Sequence, residues 1–209
     1  MDGSIDMPDM LDQLQIDHRN MRQLLRILDE ELEAYSTRGS ADFDLMKQIL
    51  EYTLHYPSLI HHPREETLFR RLLERDPISK AMVGDLTKEH EELARLTHRF
   101  AAALHNVEHL PRASFSKLAD EYVMRSRHHM ETEEEKFFPR LIAVFSDADW
   151  ADFDGLVAKG YDPLFGTTIE IAHGVVYGSD ASAPFPALSA FDGSACATQR
   201  FQSSRGTRR

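Results

Sequence analysis

Histidine is the residue type through which this chain could bind metal. Eleven histidines are present, ten of them between residues 18 and 129, whereas cysteine occurs once, at Cys196. One cysteine excludes an internal disulfide and a multi-cysteine zinc or iron–sulfur site within the chain. Imidazole and carboxylate are therefore the metal ligands that this sequence offers.

Two histidine–glutamate pairs have a spacing suited to that chemistry. His61 is followed four residues later by Glu65, and His129 is followed four residues later by Glu133. Residues four apart lie on one face of a helix, so each pair would present a nitrogen and an oxygen ligand together. Two carboxylates with several imidazoles suit two metal ions bridged by the glutamates. A nitrogen and oxygen shell without sulfur favours iron or manganese over structural zinc, although zinc also fits it.

Four long helices are predicted to position these pairs. Apolar residues recur at three- and four-residue steps over roughly 8–37, 42–75, 77–109 and 112–146, and short breaks separate these stretches. Long helices with short connections predict an all-α protein, an antiparallel up-down-up-down four-helix bundle. A kink is expected at Pro57, inside the second helix.

A C-terminal extension is predicted to follow the bundle. A short helix near 149–159 could pack Trp150 and Leu156 on the bundle. Beyond about residue 173 the chain is rich in Gly, Ser, Ala and Pro without a period, which is typical of a flexible tail. We therefore divide the chain into a bundle with a short trailing segment, residues 1–165, and a tail, residues 166–209.

Two more histidines fall where the helical pattern calls for apolar residues. Taken alone, His18 and His90 are equally well explained as hydrogen-bonded core histidines. At ~1.5 Å rise per residue, however, His18, His61, His90 and Glu133 lie within about one turn of the same height in the bundle. Burying polar groups costs free energy unless they are bonded, so polar residues from four helices at one level indicate a bound cation.

The motifs that carry this pattern resemble the hemerythrin-like, or HHE cation-binding, domain family. Residues 61–69 read HHPREETLF and residues 128–139 read HHMETEEEKFFP. The resemblance covers about residues 8–165 and includes LxxDH on the first helix, EHxxL on the third and DPLFG after the fourth. It implies the antiparallel bundle and a carboxylate-bridged non-haem centre of two iron ions. By position, the implied ligands are His18, His61, Glu65, His90, His129 and Glu133, with the two glutamates bridging.

One position departs from the oxygen-carrying members of that family. Those proteins have His-x3-His on the third helix, whereas here His90 is followed four residues later by Ala94. The missing ligand is absent, replaced by water, or supplied by His62, because an adjacent ligand at that place occurs within the family. The departure argues against reversible oxygen carriage.

The remaining polar residues receive plainer interpretations. Histidines outside the pattern are predicted to lie at the surface: His55, His98, His105 and His109. Acidic residues near the fourth-helix pair are predicted to face solvent: Glu131, Glu134 and Glu135. Glu134 would reach the centre if the helix phase shifted. Seam tyrosines are read as core residues, with a redox role as the alternative: Tyr52, Tyr56 and Tyr122.

The composition of the chain argues against two classes of partner, nucleic acid and membrane. The net charge of −11 argues against nucleic acid, which rewards a basic surface. No apolar run approaches the ~20 residues that a membrane span needs. The acidic N-terminus lacks the apolar region of a secretory signal, so a cytoplasmic protein is expected.

Three functions fit a two-iron centre. The first is a binding or sensing module for oxygen, nitric oxide or another small oxidant such as a peroxide, favoured by an apolar enclosure and a missing protein ligand. The second is a di-iron enzyme of peroxidase or oxidase type. The third is iron storage or delivery. A helical interaction protein without metal is the remaining alternative, and the sequence identifies no protein partner.

Overall fold

The computed structural model describes residues 9–154 together with Asp162, Leu164 and Phe165. The predicted tail, residues 166–209, lies outside this part of the chain. Every regular element of the described residues is helical, and no strand occurs among them. In chain order the elements are α1 (Asp9–Arg38), α2 (Phe43–Tyr56), a π-helical turn (Pro57–His61), α3 (His62–Arg75), α4 (Lys80–His105), α5 (Arg112–Thr132), a second π-helical turn (Glu133–Phe137), α6 (Phe138–Val144) and α7 (Asp147–Asp154).

These elements follow the four predicted helical stretches closely. Single turns of 3₁₀-helix at Pro77–Ser79 and Val107–His109 flank α4, which accounts for the longer third stretch in the prediction. Helix α1 contacts α2 and α5, and α4 also contacts α2 and α5. The all-helical class is confirmed, whereas the antiparallel up-down-up-down order stays a prediction.

Local chemistry accounts for the break between α1 and α2. Gly39 follows α1 with a φ of 76°, a conformation that residues with a side chain rarely adopt. A Cβ at this position would also lie 2.7 Å from a guanidinium nitrogen of Arg112. Three residues on, the Asp42 carboxylate caps α2 by accepting a hydrogen bond from the Leu45 N–H at 2.9 Å.

The predicted kink at Pro57 is a π-helical turn, and a second π-helical turn interrupts the fourth stretch, where none was predicted. In these turns the His62 N–H donates to the Pro57 carbonyl and the Phe138 N–H donates to the Glu133 carbonyl. Each turn ends two residues before a proline, Pro63 or Pro139. Proline has no N–H and its ring displaces the carbonyl four residues earlier, so the α-helical pattern cannot pass through. The extra residue in each turn shifts the helix phase.

Apolar side chains enclose the level at which the paired histidines and glutamates lie. On one side, a buried cluster joins α1, α3, α4, α6 and α7 and contains Leu14, Leu68, Phe69, Leu86, Phe137, Phe138 and Phe153 among others. Toward the far ends of α4 and α5, Phe100 lies between Phe115 and Tyr122, with ring centroids 5.6 and 5.3 Å away. The polar level therefore lies between two apolar layers.

The described part of the C-terminal extension anchors to the bundle. Helix α7 (Asp147–Asp154) begins two residues before the predicted start at 149, and residues 155–159 of the predicted helix, Leu156 among them, lie outside the described residues. Trp150 contacts Phe145, with ring centroids 5.0 Å apart. Further on, the Asp162 carboxylate accepts a hydrogen bond from the Tyr52 hydroxyl at 3.0 Å, and Phe165 is buried.

Among the helices that the structure describes, none combines the length and the apolar character needed to cross a bilayer. The location of the protein in the cell stays a prediction.

We expect Pro139→Ala to raise the stability of the metal-free protein and to lower its affinity for metal. A proline in a helix interior costs about 3 kcal/mol, but Pro139 lies in the first turn of α6, where most of this cost is avoided, so the variant should be slightly more stable without metal. Loss of the π-helical turn should rotate Glu133 and Glu134 away and lower metal affinity about tenfold, as loss of ligand-orienting groups does. Urea unfolding of the metal-free protein and competition with a chromophoric chelator measure the two effects.

Pro77→Ala is the matched control, because Pro77 is exposed and opens a turn remote from the glutamates. Unchanged metal affinity in Pro139→Ala would show that the proline does not set the helix phase.

Candidate metal centre

All seven residues predicted as ligands come together in the structure. They form two clusters, and within each cluster one potential ligand atom per residue lies within 4.8 Å of the others. The first cluster contains His18, His61, Glu65 and Glu133, and the second contains His62, Glu65, His90 and His129. We refer to these as the first and second clusters. Glu65 belongs to both.

The Glu65 carboxylate lies between the two sets of imidazoles. Its Oε1 lies 3.1 Å from His61 Nε2, and its Oε2 lies 3.3 Å from His90 Nε2. The side chain is fully buried. One oxygen of Glu65 therefore faces each cluster, as a bridging carboxylate requires.

Glu133 repeats this arrangement from the other side. Its Oε2 lies 3.3 Å from His18 Nε2, while its Oε1 lies 3.3 Å from His129 Nε2 and 3.4 Å from His90 Nε2. This side chain is also fully buried. Each of the two carboxylates thus has one oxygen near each set of imidazoles, and this arrangement suits two cations held side by side.

His62 occupies the second cluster, while Ala94 is exposed at the surface of α4. The His62 ring stacks on His90, with centroids 4.1 Å apart and planes inclined by 19°. Burial, reinforced by the charge of His90, holds the pKa of His62 well below its ordinary value. A neutral imidazole has a lone pair for a metal, so of the three alternatives for the missing ligand the geometry favours His62.

Buried polar atoms without hydrogen-bond partners concentrate at this level. Among the described residues they include Nε2 of His18, His90 and His129 and both carboxylate oxygens of Glu65 and Glu133. A buried polar atom left without a partner costs about 1–3 kcal/mol, and more when it is charged. The donor atoms therefore fit bound cations, which would satisfy all of them together.

In the absence of metal, the imidazoles and the buried carboxylates balance part of each other's charge. Burial lowers the pKa of His61, but the nearby charge of Glu65 and the hydrogen bond to Asp17 outweigh it and raise this pKa to about 10. Burial also opposes the charged form of His90, yet Glu133 and Glu65 raise its pKa to about 9. Protons on the imidazoles thus offset the buried carboxylates, and an incoming metal ion would displace them.

In three of the imidazoles, the Nδ1 atom, which faces away from the centre, is hydrogen-bonded to a carboxylate. An Nδ1–H donated to a carboxylate fixes the tautomer and leaves the Nε2 lone pair directed at the centre. The three hydrogen bonds are His18 to Glu134 at 2.9 Å, His61 to Asp17 at 3.0 Å and His129 to Glu89 at 3.0 Å.

The prediction that Glu134 faces solvent is wrong. The side chain is half-buried, and both its oxygens accept hydrogen bonds from the Arg22 guanidinium at 2.8 Å. Burial is the largest single influence and favours the neutral acid, but the hydrogen bonds from His18 and Arg22 together outweigh it and lower the pKa of Glu134 to about 2. The π-helical turn that begins at Glu133 supplies the phase shift that brings Glu134 inward. Glu131 and Glu135 are exposed, as predicted.

Sequence reasoning missed Asp17 and Glu89 as partners of the site. Each directly precedes a ligand-type histidine in the chain, but each holds a histidine of another helix. Asp17 is fully buried and also accepts a hydrogen bond from the Tyr56 hydroxyl at 3.1 Å. An acidic residue next to a seam histidine was the available signal. Histidines 98, 105 and 109 are exposed and His55 is half-buried, away from the clusters.

The family comparison agrees with this geometry. A family model described as the hemerythrin HHE cation-binding domain matches residues 9–141, which include every residue of both clusters. The chain belongs to the hemerythrin HHE cation-binding domain family. A search of curated proteins found no match.

We expect Glu134→Gln to weaken metal binding although Glu134 lies outside both clusters. The variant removes the charge that orients His18 and pairs with Arg22. Loss of such a partner typically lowers metal affinity 10–100-fold, and we expect a loss of about this size here. Titration against a chromophoric chelator measures the loss.

Glu135→Gln is the control for this variant, since it makes the same change at the next residue, whose side chain is exposed. Equal affinities for the two variants would mean that the carboxylate on His18 does not tune the site.

Proposed function

We propose that this protein is an antiparallel four-helix bundle carrying a non-haem centre of two iron ions that binds or senses oxygen, nitric oxide or a related small oxidant. The observation that carries the proposal is the pair of buried carboxylates, Glu65 and Glu133, each with one oxygen toward each imidazole set. Helices α1, α3, α4 and α5 and the two π-helical turns carry the side chains.

The residues would divide unequally between the two ions. His18 and His61 would hold one ion, whereas three imidazoles of the second cluster would hold the other, and both glutamates would be shared. Iron is the proposed metal because nitrogen and oxygen donors without sulfur suit a redox-active iron pair. Manganese and zinc are weaker alternatives. The ion with fewer protein ligands leaves more room for an external molecule.

When bound, iron supplies a redox-active pair of ions that can take up a small oxidant and exchange electrons with it. The chain supplies the surroundings. Phe138 stacks against His18 with centroids 5.4 Å apart, and Phe69 stacks against His90 at 5.8 Å. These rings place apolar surface against one histidine of each cluster, which lowers the local polarity and strengthens electrostatic interactions there.

An oxidase- or peroxidase-type activity is the second candidate, and one hydrogen-bonded chain favours it. The Tyr56 hydroxyl donates to Asp17 Oδ1 at 3.1 Å, and Asp17 Oδ2 accepts from His61 Nδ1 at 3.0 Å. A tyrosine linked to the centre by two hydrogen bonds is placed for the redox role that the sequence left open. Burial raises the pKa of Tyr56 above its ordinary value, so the hydroxyl keeps its proton at neutral pH.

Anaerobic reconstitution with ferrous iron tests the proposed function. We expect two iron atoms per chain and new absorption bands when nitric oxide or oxygen is added. Glu65→Gln should lose both properties, since it removes a shared ligand, whereas Glu66→Gln should keep them because Glu66 is exposed at the next position. A loaded protein whose spectrum responds to neither gas would contradict the proposal. Rapid loss of iron to a mild chelator would favour iron handling instead.

A further inference from the structure

A buried carboxylate from the chain after the bundle lies against two of the bundle helices. Asp162 is 4% exposed, and its Oδ2 accepts hydrogen bonds from the Tyr52 hydroxyl at 3.0 Å and from the Asn20 amide at 3.5 Å. Its Oδ1 accepts from the N–H groups of Leu164 and Phe165, at 2.9 and 3.1 Å. Asp162 thus joins a turn of the C-terminal extension to α1 and α2.

The charge of Asp162 is not needed to hold this turn. Its hydrogen-bond partners among the described residues are all neutral donors. Burial, together with the nearby charge of Asp17, raises the pKa of Asp162, although its hydrogen bonds oppose the shift. A buried carboxylate without a cation costs free energy, and an asparagine could accept from the same N–H groups. A carboxylate forms stronger hydrogen bonds than an amide, so the charge adds a stronger hydrogen bond to Tyr52.

Tyr52 in turn packs against Tyr56, one turn further along α2. The two rings stack, with centroids 5.3 Å apart and planes inclined by 15°, and we refer to these two residues as the tyrosine pair. Phe165 contacts the Tyr52 ring in an edge-to-face arrangement, with centroids 6.2 Å apart. Both tyrosines are buried. In a close-packed interior the Tyr52 ring cannot move without displacing the Tyr56 ring.

The tyrosine pair reaches the centre through Asp17. The Tyr56 hydroxyl donates to Asp17 Oδ1 at 3.1 Å, and Asp17 Oδ2 accepts from His61 Nδ1 at 3.0 Å. This second hydrogen bond orients the imidazole toward the first cluster, where His61 Nε2 lies 3.1 Å from Glu65 Oε1. A continuous buried path therefore leads from Asp162 through two tyrosines and one carboxylate to a ligand-type histidine.

We propose that Asp162 is a positioning residue of the metal centre, so that metal binding in the first cluster and docking of Asp162 and Phe165 on the bundle stabilise each other. Asp162 acts through the tyrosine pair and Asp17 on His61. Because coupling between two sites is reciprocal, the factor by which docking raises metal affinity is also the factor by which metal favours docking. The inference rests on the proposed function, since it takes His61 as a metal ligand, and it assigns regulation of that centre to the chain after the bundle.

Two substitutions interrupt this path without changing a candidate ligand. Tyr52→Phe keeps the ring and removes the hydroxyl, whereas Asp162→Asn keeps the shape of the side chain and removes the charge. Tyr122→Phe is the control for the first variant, because the buried Tyr122 hydroxyl has its hydrogen-bond partners outside this path. Asp147→Asn is the control for the second, since Asp147 is exposed on α7.

Nuclear magnetic resonance of the metal-free full chain, with isotope-labelled histidine nitrogen, tests the path at its end. The Nδ1–H groups that donate to carboxylates, those of His18, His61 and His129, give one signal each. We expect Tyr52→Phe and Asp162→Asn to speed exchange of the His61 proton with water about fivefold, the worth of one hydrogen bond, and to leave the other two signals unchanged. An unchanged His61 signal in both variants, or equal changes at all three histidines, would overturn the inference and leave the proposed function standing.

Zinc, which is diamagnetic and fits the same donor atoms, tests the reciprocal effect. Loading the wild-type protein with zinc should slow amide exchange at Leu164 and Phe165 about fivefold, the lower end of the usual range for coupled sites. Tyr52→Phe and Asp162→Asn should lower zinc affinity, measured by competition with a chromophoric chelator, by a similar factor and should abolish this slowing, whereas both control variants keep it. Equal amide exchange with and without bound zinc would overturn the inference. A chain that takes up neither zinc nor iron would contradict the proposed function as well.

Discussion

The arrangement of the rest of the site depends on two fully buried carboxylates, those of Glu65 and Glu133. A buried charge is tolerated only when it is paired, and here the partners are imidazoles from four helical stretches at one level. Without metal, protons on these imidazoles balance the carboxylates, as the raised pKa values of His61 and His90 indicate. Metal ions would make the same balance with stronger bonds and would satisfy the remaining unpartnered atoms.

The irregular parts of the helices serve this pairing. Both π-helical turns lie at the ligand-type residues, one ending at His61 and the other beginning at Glu133. The first turn places adjacent residues His61 and His62 in different clusters, and the second brings Glu134 onto His18. A regular α-helix would direct one member of each adjacent pair away from the centre. We therefore expect the prolines that follow these turns to affect the site although neither is itself a candidate ligand.

The fold class and the ligand-type residues could be predicted because both depend on local periodicity. The three- and four-residue apolar steps located the helices, and histidines or glutamates on those steps marked the centre. Glu134 was misplaced because the prediction assumed an uninterrupted α-helix through Phe138-Pro139. Asp17 and Glu89 were missed because each holds a histidine on a different helix, and one sequence does not show which helix faces which. The place of His62 in the second cluster likewise depends on the packing of α3 on α4.

Crystals of the full chain, grown from protein reconstituted with ferrous iron, would test the central claim directly through anomalous diffraction at the iron absorption edge. The account predicts two anomalous peaks of similar height, one beside His18 and His61 and one beside His62, His90 and His129. Glu65 and Glu133 should each contact both peaks. A single peak, or two peaks that share neither glutamate, would contradict it.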